Sequence, residues 1–162
     1  MQLNRQQRRA LKKAKPQKGV GYIELPITFR FSDKDETSLI LQPMLCAEKL
    51  RDGTAEEPDW HTVVLRLNWA RLLNQNNFSE GEDCIAQAQE AMKAIKVVGD
   101  SSGTWKAEPE QFSAISEALA MAIEMQKLCT RRELRDALEA VYEANEYHNK
   151  VTQIKNKLKA QP

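Results

Sequence analysis

A chain of 162 residues, 41% hydrophobic and 29% charged, with six Gly and six Pro, has the length of one domain and a globular, not low-complexity, composition. No apolar run approaches the ~20 residues of a membrane span, and no apolar stretch follows the basic start, which argues against a spanning helix and a secretory signal. The formal net charge of +1 hides three zones, +7 over 1–18, −10 over 19–149 and +4 over 150–162. A charge block placed this way marks a partner surface, not a fold. Cys46, Cys84 and Cys129 are odd in number and widely spaced, which predicts reduced thiols packed as small apolar side chains in a cytoplasm-like compartment.

In chain order, Asn4 to Lys15 has helix-forming residues and a stop at Pro16, but only Leu3, Ala10, Leu11 and Ala14 are apolar. Such a segment cannot bury a broad face and is expected to order only on something acidic. Residues 22–31 alternate apolar with polar after Gly19 and Gly21, and Pro26 confines them to an edge or irregular path, so they read as an extended arm laid across a helical body. A short helix is expected with Pro43 in its first turn, running through Met44, Leu45, Ala47 and Leu50 to a cap at Gly53.

A cleaner helix follows, capped by Asp59 and carrying Trp60, Val63, Val64, Leu67, Ala70 and Leu73 up to Asn77. Ser79 and Glu82 have capping-box spacing before a helix whose stripe is Ile85, Ala88, Met92, Ile95 and Val98, ending at Gly99. Asp100 to Thr104 reads as a turn cluster. Pro109 opens the next helix, with Phe112, Ile115, Leu119, Ala122 and Ile123 inward. Thr130 with Glu133 forms a second capping box before a last helix bearing Leu134, Leu138, Val141, Val151, Ile154 and Leu158.

These elements predict an all-α fold: an antiparallel helical bundle of about four helices with a basic N-terminal arm and a short extended segment. The divisions are an arm over 1–18, an extended segment and short helix over 19–53 packed on the body, and the bundle over 54–159. The connection Leu128-Cys129-Thr130 is short enough for one continuous helix, and the capping box favours a break. A continuous helix would imply a dimer.

Signatures of covalent chemistry are absent from the pattern, and the sequence predicts no enzyme, no cofactor and no metal. His61 and His148 lie far apart, without Cys or carboxylate at ligand spacing, and neither has the Glu three residues earlier that a di-iron bundle needs. Gly19-Val20-Gly21 lacks the third glycine or the Lys-Ser/Thr pair of a phosphate loop, and no Gly-x-Ser-x-Gly elbow occurs. The acidic runs 56–59 and 80–83 suit helix first turns.

Binding residues are better represented. Arg5, Arg8, Arg9, Lys12, Lys13, Lys15 and Lys18 form a nucleic-acid-binding candidate, joined by Lys150, Lys155, Lys157 and Lys159. Arg131 and Arg132 sit in a helical first turn, where the dipole disfavours cations. They read either as i,i+4 pairs, Arg132 with Asp136 and Arg135 with Glu139, or as a partner-binding basic patch. Trp60 fits the core stripe, whereas Trp69 and Trp105 are expected to pack on the arm and the 99–107 loop; an exposed Trp105 would anchor a partner.

Arg5-x-x-Arg8-Arg9-Ala10-Leu11, the block Trp60-His61-Thr62 to Arg66-Leu67-Asn68, the loop Gly103-Thr104-Trp105, and Glu124-Met125-Gln126 to Thr130-Arg131-Arg132-Glu133 resemble small helical proteins of bacteriophages and prophages. The resemblance covers most of 60–140. It implies an accessory protein in the cytoplasm of a bacterial host and carries over no catalytic residue. Two functions then stand side by side: nucleic-acid binding through the arm, or inhibition of a host protein, such as a defence nuclease, by the acidic bundle surface.

Overall fold

A computed structural model of the protein describes residues 33–159, with side chains from 37 to 153. The basic arm over 1–18 and the extended segment over 22–31 lie outside the described residues. Five helices follow one another: α1 (Asp33–Asp52), α2 (Glu57–Asn77), α3 (Glu82–Ser102), α4 (Pro109–Leu128) and α5 (Arg131–Lys159). No named strand occurs among the described residues; Ala55 and Trp105 form one isolated antiparallel bridge between two connections.

The α2 helix is the hub, because its apolar side chains point in more than one direction. Trp60, Val63 and Leu67 join Ala47 and Leu50 of α1, Met92 and Ile95 of α3, and Ile115 and Leu119 of α4 in the main core. Ala70 joins Ile85, Ala122 and Met125 in a second cluster. Trp69 and Leu73 meet Leu134, Ala137 and Val141 of α5 in a third. A helix buried on several sides has to be central, and polar atoms on it then need partners. Trp60 Nε1 donates to the Met92 carbonyl at 2.8 Å, and Trp69 Nε1 donates to the Leu134 carbonyl at 3.0 Å.

Several boundaries differ from the sequence reading. The α1 helix begins at Asp33, and Pro43 lies inside it instead of in its first turn. A mid-helix proline costs about 3 kcal/mol by removing one backbone bond, so tertiary packing has to offset it; Pro43 is buried. Asp59 stands inside α2, not at its cap. Glu56 caps, and the Asp59 carboxylate reaches back to accept from the Glu56 N–H at 3.0 Å. Ser79 is likewise displaced by Gly81, whose φ of 107° lies in the left-handed region. A Cβ there would stand 2.6 Å from Met121 Sδ, a flexible side chain that can yield, so the left-handed φ is what calls for glycine.

The α3 helix runs through Gly99 and ends at Gly103, which makes Asp100 to Ser102 helical instead of a turn. Gly99 is an interior contact: a Cβ would lie 2.6 Å from Trp105 Cδ2. The glycine therefore seats the Trp105 ring, and Val98 is exposed in its stead. Gly99→Ala gains up to about 1 kcal/mol of helix propensity and loses about 1–3 kcal/mol by overpacking a rigid indole. The expected result is a lower urea midpoint with an unchanged slope.

The break after Leu128 is present. Thr130 N–H donates to Glu133 Oε2 at 2.7 Å, and the Glu133 N–H donates to Thr130 Oγ1 at 3.3 Å, the reciprocal bonds the sequence predicts. Between α1 and α2, Asp59 also accepts from Lys49 Nζ at 2.8 Å and from Cys46 Sγ at 3.4 Å. Burial alone raises the Asp59 pKa; Lys49, the Glu56 amide and Cys46 outweigh it and hold the carboxyl below its ordinary value. A folded pKa below the unfolded one gives stability that is present above about pH 4 and lost as pH falls through the folded value. Asp59→Asn is expected to cost about 1–2 kcal/mol near neutrality and to shrink the loss on acidification, read from urea unfolding at pH 7 and pH 3.

Candidate functional site

Each sequence-predicted binding residue has a definite standing. Arg5, Arg8, Arg9, Lys12, Lys13, Lys15 and Lys18 lie outside the described residues, as do the side chains of Lys155, Lys157 and Lys159. Lys150 is exposed, 3.9 Å from Glu146. Arg131 and Arg132 are both exposed at the start of α5. Arg132 makes its i,i+4 pair with Asp136 at 3.6 Å, whereas Arg135 pairs with the adjacent Asp136 at 3.1 Å and not with Glu139. Such exposed pairs are worth about 0–1 kcal/mol, so they serve solubility more than stability.

Trp105 is a correction. It is only 7% exposed, with its ring against Gly99 and 5.8 Å from that of Trp60, so it holds the 103–107 connection to the core instead of anchoring a partner. The Trp69 ring fills the α2–α5 contact with Leu134, Ala137 and Val141, and the arm on which it is expected to pack lies outside the described residues. His61 is exposed beside Glu57 at 3.5 Å, and among the described residues no group of three His, Cys, Asp or Glu side chains is placed to hold a metal ion. Burial raises the pKa of Cys46, helped by Asp59, and that of Cys84, helped by Glu117.

The most distinctive site is one that sequence reading passes over. Arg66, in the middle of α2, is only 4% exposed. Its Nη2 donates to Gln126 Oε1 at 2.7 Å, its guanidinium lies 4.4 Å from the Trp69 ring centroid, and its Nη1 has no acceptor. No carboxylate pairs with it among the ion pairs of the described residues. Burial pushes this guanidinium down to about 10, which leaves it charged at neutral pH. A buried cation without a counter-ion lowers stability, and natural cores rarely keep one.

Arg66 lines a groove of about 660 Å³. Ser38, Leu39, Gln42 and Pro43 of α1 form one side; Thr62, Leu65, Arg66 and Trp69 of α2 the floor; Leu138 and Tyr142 of α5 the other side. The lining is mainly apolar, and Arg66 is the charged member. Beyond Val141, residues 142–150 of α5 are exposed. A volume in the range of small-ligand sites, apolar walls and a few convergent polar groups define a binding cleft, not a catalytic constellation.

A sequence signal for Arg66 exists. Its helical neighbours at three and four residues are Thr62, Val63, Trp69 and Ala70, none of them acidic, so the cation stands on an apolar stripe without an i,i+4 partner. No helix of the described residues is long and apolar enough to cross a membrane. No family model, curated protein or solved structure matches this chain.

Proposed function

We propose that the protein acts by binding and not by covalent chemistry. In this reading a helical bundle serves as receptor for an apolar ligand in the α1–α2–α5 groove, and the basic arm over 1–18 contacts nucleic acid, in the manner of an accessory protein of a phage or mobile element. The groove carries the reading: an open cleft of about 660 Å³ whose lining includes Leu39, Leu65, Trp69 and Leu138. Apolar surface of this kind gains about 25 cal/mol per Å² when a ligand removes it from water. Trp69 lines the groove, so tryptophan fluorescence reports occupancy. Titration with decan-1-ol is expected to give a saturable change that Leu138→Glu weakens roughly tenfold or more, because a carboxylate at the wall must be desolvated. A linear, unsaturable response in the native chain counts against the reading.

The arm's part rests on charge: seven cations and no acid in 18 residues, joined to a body with net −10 over 19–149. Nucleic-acid affinity should fall steeply with salt, about 0.9 log units per log unit for each phosphate neutralised on duplex DNA, and should vanish in a chain starting at Gly19. Undiminished affinity in that chain removes the arm from the account.

A second reading, contact with a host protein, is favoured by one observation. Leu41, Met44 and Leu45 on α1 are all exposed, at helical spacing, on a helix that also lines the groove. A partner retained by the native chain and lost by Leu45→Glu supports it; equal recovery by both argues against it.

A further inference from the structure

We infer that the groove is a receptor for an apolar molecule ending in a carboxylate, and that Arg66 is the residue that recognises the anionic end. This assignment rests on the groove reading and adds the ligand's charge. Arg66 is 96% buried by its 4% exposure, lines the groove, and keeps Nη1 without an acceptor while Nη2 is held by Gln126 at 2.7 Å. A guanidinium offers a planar fork of donors, and a carboxylate is the acceptor whose two oxygens match it.

Three features favour an anion over a neutral polar end. The guanidinium brings a full positive charge that no acidic residue of the groove lining balances. The Trp69 ring 4.4 Å away and the bond to Gln126 hold the guanidinium in place before any ligand arrives, which removes ordering cost from binding. The remaining polar lining groups, Ser38, Gln42, Thr62 and Tyr142, are neutral and neither repel an anion nor compete as counter-ions. Pairing the cation in a low-dielectric site then strengthens the contact beyond its worth in water. The apolar remainder of the ligand lies along the lining residues Leu39, Leu65 and Leu138.

The test uses the full chain at neutral pH and three probes of one length and different ends: decanoate, decan-1-ol and decylammonium, each titrated by calorimetry below its micelle-forming concentration. Decanoate is expected to bind tightest, decan-1-ol roughly tenfold to a hundredfold more weakly, and decylammonium not at all, the ratio corresponding to one charge-assisted hydrogen bond. Arg66→Met should bring decanoate down to the level of decan-1-ol and leave decan-1-ol itself within about twofold; Arg66→Lys, which keeps a cation, should retain part of the preference. The comparison among probes needs no variant, so it stands even where Arg66→Met fails to fold. Decan-1-ol binding as tightly as decanoate, or a preference that survives Arg66→Met, overturns the carboxylate assignment and leaves the groove reading in place. Failure of all three probes overturns both.

Discussion

Trp69→Ala should remove about 3–5 kcal/mol of unfolding free energy, the largest loss expected for a single side chain in this protein. The side chain is 1% exposed and meets Leu134, Ala137 and Val141, which are the residues by which α5 holds to the body. Its indole N–H also ends on the Leu134 carbonyl. Since domains of this size are stable by only about 5–15 kcal/mol, the variant should sit near the edge of folding at physiological temperature. Trp69→Phe separates the contributions: it keeps most of the apolar volume and drops the donor, with an expected cost of about 1–2 kcal/mol. Urea unfolding monitored by circular dichroism gives the totals, and hydrogen exchange gives the location. Amides of Leu134 to Val141 should lose protection before those of α3 and α4. A loss for Trp69→Ala below about 1 kcal/mol would show that α5 is held elsewhere.

Much of the fold was legible because it depends on periodicity. Ile85, Ala88, Met92 and Ile95 recur every three or four residues, and all four are buried on α3. Thr130 with Glu133 marked a helix start by reciprocal side-chain bonds, and the bonds are present. The misread positions share a different cause. Local spacing alone points to Asp59 and Ser79 as caps, yet capping is decided by which residue leaves the helix first, Glu56 and Gly81. Gly99 looked like a stop signal because an isolated glycine usually is one. Its role is set by an indole six residues later, which folds back onto the helix. Pro43 suggests a helix start for the same reason; only packing against other helices lets α1 continue through it.

The groove was hidden for a related reason. Its floor and sides come from α1, α2 and α5, more than seventy positions apart between Leu65 and Leu138, and no local pattern reports such convergence. Arg66 sat in plain view on an apolar stripe, and its meaning depends on what the tertiary structure withholds, namely a carboxylate. Trp105 erred in the opposite direction: a tryptophan in a Gly-rich connection suggested an exposed anchor, and the Ala55 bridge together with Gly99 buries it.

The second large effect concerns Arg66 and its neighbour. Gln126→Leu strips the guanidinium of its remaining side-chain acceptor and leaves the charge buried with none, at an expected cost of about 2–3 kcal/mol. Replacing both residues should reverse that loss. Arg66→Met with Gln126→Leu fills the same space with apolar atoms and removes the buried charge altogether, and such replacements are often neutral or stabilising by about 1–4 kcal/mol. The central claim is that this cation serves recognition and costs stability. Its most direct measurement is the urea midpoint of the double variant beside the native chain and the two single variants. A double variant at least as stable as the native chain, and without preference for decanoate, is the predicted result. A double variant destabilised by about 3 kcal/mol or more would contradict the claim, because the guanidinium would then be part of what holds the helices together.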